Sequence, residues 1–250
     1  MQKSTLIPSD YPIYPIIRPL RIICMFFVYI LQAHFSIVLM AVVDANYRFL
    51  YVDVGNYGKN SDGGIFNRCS FGRALQAGAL NLPDPTTLPG GEELGPMPYA
   101  FVGDEAFPLL PNLMRPYPGK ANSRHQLIFN KRLSRARRMV ESTFGILAVR
   151  WRMFHTSICL GPALLSKVVK ACCILHNIIQ TESTPAKIKY VRDRARRETT
   201  SFHDLRPVAH RMRRDALATR DAYATYFTDI ASLPWHLQAA QNLGFDEEDE

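Results

Sequence analysis

The 250-residue chain is poor in the residues that staple small folds. It has five cysteines, an odd number, and no two are spaced as a CxxC pair. That pattern excludes a disulfide framework or a zinc ribbon and fits a reduced, intracellular protein. Cys172 and His176 stand one helical turn apart, but no second pair completes a metal site, so a packed helix face is the expectation. Near the N-terminus an apolar stretch has about the length of a membrane span, but an anchor is not the expectation. The apolar stretch RIICMFFVYILQAHFSIVLMAVV is broken by Gln32, Ala33, His34 and Ser36, and no small-residue cleavage site or cysteine-rich chain follows it. Acid is scarcest in one place: between Arg124 and Arg152 eight lysines and arginines face Glu141 alone. This window holds nearly the whole formal excess of +8. So dense a basic patch suits a phosphate backbone, although a charge run is more commonly a solvated helix face.

A hydrophobic fraction of 47% is ample for a folded core. Residues 1–33 carry four prolines and read as irregular. FSIVLMAVVD (35–44) reads as a strand buried on both faces, and RFLYVDV (48–54) returns beside it. A glycine-rich loop (55–64) ends near Asp62, from which a short helix is expected. Five prolines within residues 78–98 predict a surface excursion. YAFVGD (99–104) is a short buried strand stopping at Gly103–Asp104. Asn130 can cap a helix reaching about Trp151, with Leu133, Ala136, Val140, Phe144, Leu147 and Trp151 as its apolar stripe and Glu141 at the stripe's border. Residues 162–180 read as a helix buried nearly all round. Beyond Thr181 the chain turns charged and reads as a mobile tail. Strands and helices in this order give an α/β domain with a mixed sheet.

Asp62, Asp104 and Glu141 stand where chains hold hard cations: a loop end, the carboxyl end of a strand, and a basic helix. Mg²⁺ or Mn²⁺ takes a few carboxylate oxygens and completes its shell with water and substrate phosphate. Each acid also has a plainer role open to it, respectively a helix cap, a turn acceptor, and an i,i−4 partner for Arg137.

The segments AVVDANYRFLYVDVGNYGKNSDGGIF, YAFVGDEAFPLLPNLMRPYP, FNKRLSRARRMVESTFGILAVRWRMF and ACCILHNII, in this order, resemble the endonuclease domain of PIF/Harbinger transposases and the nuclease-like proteins derived from them. The resemblance implies an RNase H-like fold, DNA as substrate, a Mg²⁺ or Mn²⁺ cofactor, and Asp62, Asp104 and Glu141 as catalytic metal ligands. It further implies DNA-backbone contacts from Lys131, Arg132, Arg135 and Arg138, a nuclear location (the alternative being cytoplasm), and a Myb-like protein partner. It divides the chain into a non-family segment 1–33, an endonuclease domain 34–181 and a tail 182–250. The family's first strand bears an aspartate in a DGTH-like motif, which this chain lacks. The expectation is therefore a domain missing its first strand. Two functions follow: a metal-dependent DNA nuclease, or a binding module that keeps the fold without the chemistry.

Overall fold

A computed structural model describes residues 5–6, 23–31, 36–57, 62–119, 123–198, 202–203 and 213–234. Its centre is a mixed sheet. In chain order the strands are β1 (Thr5–Leu6), β2 (Ile23–Leu31), β3 (Ser36–Val43), β4 (Phe49–Tyr57), β5 (Thr86–Thr87), β6 (Pro96–Met97), β7 (Phe101–Val102), β8 (Leu113–Met114) and β9 (Phe202–His203). The main sheet runs β1-β4-β3-β2-β7-β8, with β9 also on β2, while β5 and β6 form a separate ribbon. The helices are α1 (Asp62–Arg68), α2 (Ser70–Gln76), α3 (Arg124–Arg150), α4 (Pro162–Glu182), α5 (Pro185–Ala195) and α6 (Arg214–Thr225).

From Ile37 to Val43, β3 is apolar at every position because it is covered on both sides. Ile37, Leu39, Ala41 and Val43 join a core with α3, α4 and α6. Val38, Met40 and Val42 join a second core with α1 and α2. Alternate side chains leave a strand on opposite faces, so one strand feeds both cores. Asp44 holds the tight β3–β4 turn, accepting from the Asn46 and Arg48 amides and from Arg48 Nε at 2.8–2.9 Å.

Ile23–Leu31, expected to be irregular, is instead the central strand. It runs antiparallel to β3, from Cys24 opposite Val43 to Leu31 opposite Ser36, and parallel to β7. The sheet is thus not short of a strand before β3. The physical cause is in the segment itself, since ICMFFVYIL is the continuous β-branched and aromatic run that a sheet interior selects. What resembled an interrupted membrane span is two strands of one hairpin. The N-terminal prolines lie outside the described residues.

α3 begins earlier than expected. Ser123 is its N-cap, its hydroxyl accepting from the Gln126 amide at 3.3 Å. Asn130 lies inside the helix and instead clasps Tyr117, accepting from its amide at 2.8 Å and donating to its carbonyl at 3.2 Å. Of the expected stripe, Leu133, Ala136, Val140, Phe144 and Leu147 are buried, whereas Trp151 is the helix C-cap and is partly exposed. α4 is buried along one face only. Leu165, Val169, Cys173 and His176 point inward, whereas Leu164, Leu175 and Ile178 are about half exposed, at 52%, 48% and 55%.

The expected mobile tail is partly ordered. α6 and the π-helical turn after it, Tyr226–Ile230, pack on α3 and bury Ala216, Tyr223, Tyr226 and Phe227 in the main core. The tyrosine hydroxyls fasten this segment to the proline-rich excursion, Tyr223 donating to the Pro98 carbonyl and Tyr226 to that of Pro89. Apolar residues among charges read locally as a tail, but α3 supplies the surface that covers them. Residues 204–212 and 235–250 lie outside the described residues.

One buried charge in the sheet yields a prediction. Asp53 on β4 is 9% exposed, and burial raises its carboxyl pKa, with Lys170 opposing the rise. The folded state therefore holds this proton more tightly than the unfolded chain. Stability falls as pH climbs from the unfolded value, about 3.9, through the raised folded one. Asp53→Asn should raise the thermal midpoint at pH 7 and leave it nearly unchanged at pH 3.5, as read by circular dichroism.

Candidate metal and nucleic-acid site

Asp104 follows β7 directly and is 7% exposed. The turn that holds it is tight. Its Oδ1 accepts from the Ala106 amide at 2.9 Å, and its carbonyl accepts from the Phe107 amide at 3.2 Å. Phe107 folds back over Gly103, where a Cβ would lie 2.7 Å from the ring, so the residue before Asp104 must be glycine for this close approach. Arg115 supports the turn from below. It is 7% exposed, and its Nη1 donates to the Phe107 carbonyl at 3.2 Å and the Glu105 carbonyl at 3.4 Å. Burial, with repulsion from Arg220, pulls its guanidinium pKa down.

The other Asp104 oxygen faces α3. Arg137 Nη2 stands 3.9 Å from Oδ2. Glu141 is the next residue along that helix face, one turn beyond Arg137. The plainer reading of Glu141 paired it with Arg137, but among the described residues Glu141 forms no ion pair. It is exposed and lines a cleft between α3 and α5 with Arg138, Ser142, Arg192 and Arg196. Asp62 opens α1, as the sequence indicated, and its side chain lies outside the described residues.

Two hard carboxylates and a cation thus share one side of α3. Asp104 is preorganised by its turn and presents Oδ2 to a positive charge, which is the chemistry a divalent ion asks of a ligand. Among the described residues no group of three His, Cys, Asp or Glu side chains is placed to hold a metal. Asp104 and Glu141 are the two described carboxylates on offer to such an ion, and they fall short of a three-ligand set.

The register of the central strand bears on the third acid. Ile23 pairs with Phe101 and Cys24 with Val102. No residue of β2 is acidic. The sheet thus has a strand before β3, and that strand carries no aspartate.

The basic residues divide in two. Lys131 is half-buried, and Arg135 and Arg138 are exposed. Arg132 is turned inward: Nη2 donates to the Ala231 carbonyl at 2.5 Å, and the guanidinium lies 4.8 Å from the centre of the Phe227 ring. It ties α3 to the C-terminal segment and is poorly disposed to bind phosphate. Arg137, Arg192 and Arg196 escaped the sequence reading. Arg137 was visible there only as a possible partner of Glu141, and nothing local joins the arginines of α5 to a helix fifty residues earlier.

A sheet flanked by helices, with carboxylates at a strand end and on an arginine-rich helix, is compatible with a nuclease-type domain. The sequence matches the DDE superfamily endonuclease model over residues 13–177, and the chain belongs to that family. The match begins well inside the segment read as foreign to the domain. A relative is the "Protein ALP1-like" of Arabidopsis thaliana, 37% identical over 150 residues. That alignment covers 59% of this chain and 36% of the relative, so the chain spans about a third of that protein's length. The resemblance to PIF/Harbinger-derived proteins thus holds. No solved structure matches significantly.

Proposed function

We propose that this chain is a transposase-derived nuclease-type domain acting on DNA phosphodiesters. The observation that carries the reading is Asp104, fixed at the end of β7 and facing the α3 face that carries Glu141. The fold supports an RNase H-like reading. In its support, β2 is antiparallel to β3 and parallel to β7 in the order β4-β3-β2-β7-β8, as that reading would ask of the family's first strand. Asp104 and Glu141, joined by Asp62 if its side chain reaches them, would hold Mg²⁺ or Mn²⁺. Such an ion activates a water and steadies the leaving oxygen when bound. The protein's own part is to orient Asp104 through the Ala106 amide, to balance its charge with Arg137, and to gather phosphate with Lys131, Arg135 and Arg138.

The lack of an acid on β2 favours a second reading, in which the domain binds DNA without cutting it. Location in the nucleus and a Myb-like partner belong to both readings as expectations from the family.

The test is nicking of supercoiled plasmid with Mn²⁺ or Mg²⁺. Asp104→Asn should remove it, by more than the ~10–100-fold that loss of an outer-shell partner costs. Cleavage at full rate in that variant would dismiss the assignment. Salt-sensitive binding with no turnover in any metal would establish the second reading.

A further inference from the structure

α3 and α5 approach most closely at Gly145, where an added Cβ would lie 3.0 Å from the Cβ of Ala195. Beside this contact lies a cleft of about 470 Å³, within the size range of small-ligand sites. Its walls carry Arg138, Glu141 and Ser142 from α3, and Arg192 and Arg196 from the end of α5. Three guanidiniums therefore face one carboxylate. Among the described residues, neither Arg138 nor Glu141 forms an ion pair, although they stand three residues apart. Arg192 is held from behind, donating to the Tyr47 hydroxyl at 3.0 Å, and its Nε lies 3.7 Å from Asp193 Oδ1. Arg196 is 67% exposed and only 3.9 Å from Asp193 Oδ1.

The cleft has a cationic approach. Lys131, Arg135, Arg138 and Ser142 recur at intervals of four, three and four, and so share one helical stripe. From Lys131 to Arg138 that stripe rises roughly 10 Å at 1.5 Å per residue. At 3.4 Å per nucleotide this is the axial rise of about three phosphates of one strand. A row of cations leading into a cleft suits a polymer of phosphates better than a single free anion.

We propose that the α3–α5 cleft seats the sugar-phosphate backbone of a DNA strand, with Arg192 and Arg196 as a clamp opposite Arg138. The proposal rests on the nucleic-acid reading above and gives it a place. α5 lies beyond residues 13–177, so the clamp is an addition to the region the family model describes.

The experiment is fluorescence anisotropy of a labelled 20-base-pair duplex titrated with the full chain in EDTA, repeated across salt concentrations. The double variant Arg138→Gln/Arg196→Gln removes two exposed guanidiniums and leaves Arg192 on Tyr47. It should flatten the slope of log K against log[salt] by about 1.8, at ~0.9 per contact, and equally for unrelated sequences. Ser142→Glu, which keeps every arginine, should weaken binding by adding a second carboxylate to the cleft. Wild-type slope and affinity in both variants, each shown folded by circular dichroism, would overturn the proposal. So would competition by inorganic phosphate or a phosphopeptide at concentrations below those of unlabelled duplex. EDTA keeps this result apart from catalysis. A flattened slope in a chain that never nicks DNA keeps the clamp and removes the nuclease. Nicking that depends on Asp104, with an unchanged slope, does the reverse.

Discussion

A chain ending before Arg213 should fail to unfold cooperatively and should bind a hydrophobic dye, while Phe227→Ala in the full chain should cost about 3–5 kcal/mol. Phe227 is 1% exposed and sits among Phe129, Tyr223 and Tyr226, with ring centres 6.1–6.2 Å away. The Arg132 guanidinium covers it, adding ~0.5–2 kcal/mol that alanine would also forfeit. Domains of ordinary stability have only about 5–15 kcal/mol in total. Truncation removes Phe227 together with Tyr223, Tyr226 and Ala216, and leaves the α3 side chains beneath them in water. It also strands Tyr117, whose hydroxyl donates to Asp221 Oδ1 at 2.5 Å. Urea unfolding followed by tryptophan fluorescence reads both effects. A sharp transition at wild-type midpoint in the truncated chain would show that these residues are ornaments on an independent core.

Local sequence showed what local physics determines. The β3–β4 hairpin, the helix after the glycine-rich loop, the buried stripe of α3 and the placement of Asp104 at a strand end each follow from a pattern a few residues long. The failures share a different cause. Ile23–Leu31 has the composition of a central strand, but the apolar run continuing past Gln32–His34 made a single span the competing reading. Asn130 looked like a cap because its true partner, Tyr117, lies in the preceding loop. The C-terminal aromatics were unreadable as core because their covering surface is more than eighty residues away. At the site, residue type was informative and pairing was not. Glu141 looked ready to bind Arg137, yet that arginine faces Asp104, a residue on another element. The cleft around Glu141 needed α5, whose arginines carry no mark in sequence to distinguish them from the charges beside them.

Acid should weaken the fold well before its carboxylates titrate, because of one buried imidazole. His176 on α4 is 0% exposed, packs edge-on against Phe49, and bonds through Nε2 to the Tyr47 carbonyl at 2.7 Å. A carbonyl only accepts, so Nε2 carries the proton, and the buried Nδ1 has no partner to stabilise a second one. Burial pulls the pKa down to about 3, and Arg150, whose Nη1 donates to the His176 carbonyl, pulls in the same direction. The unfolded chain binds a proton near pH 6.5, and the folded one resists it. Stability from this group is therefore complete above pH 6.5 and is lost as pH falls toward 3, at about 1.4 kcal/mol per pH unit. The full loss is on the order of 3–5 kcal/mol, a large part of a typical domain's stability. Urea denaturation at intervals from pH 7.5 to 4.5 should show that slope. His176→Gln keeps a donor for Tyr47 but cannot titrate, so it should be less stable at pH 7.5 and nearly level across the range. An equal slope in that variant would assign the acid sensitivity elsewhere. The same residue positions the α3–α5 cleft at one remove: its Nε2 holds the Tyr47 backbone, and the Tyr47 hydroxyl holds Arg192.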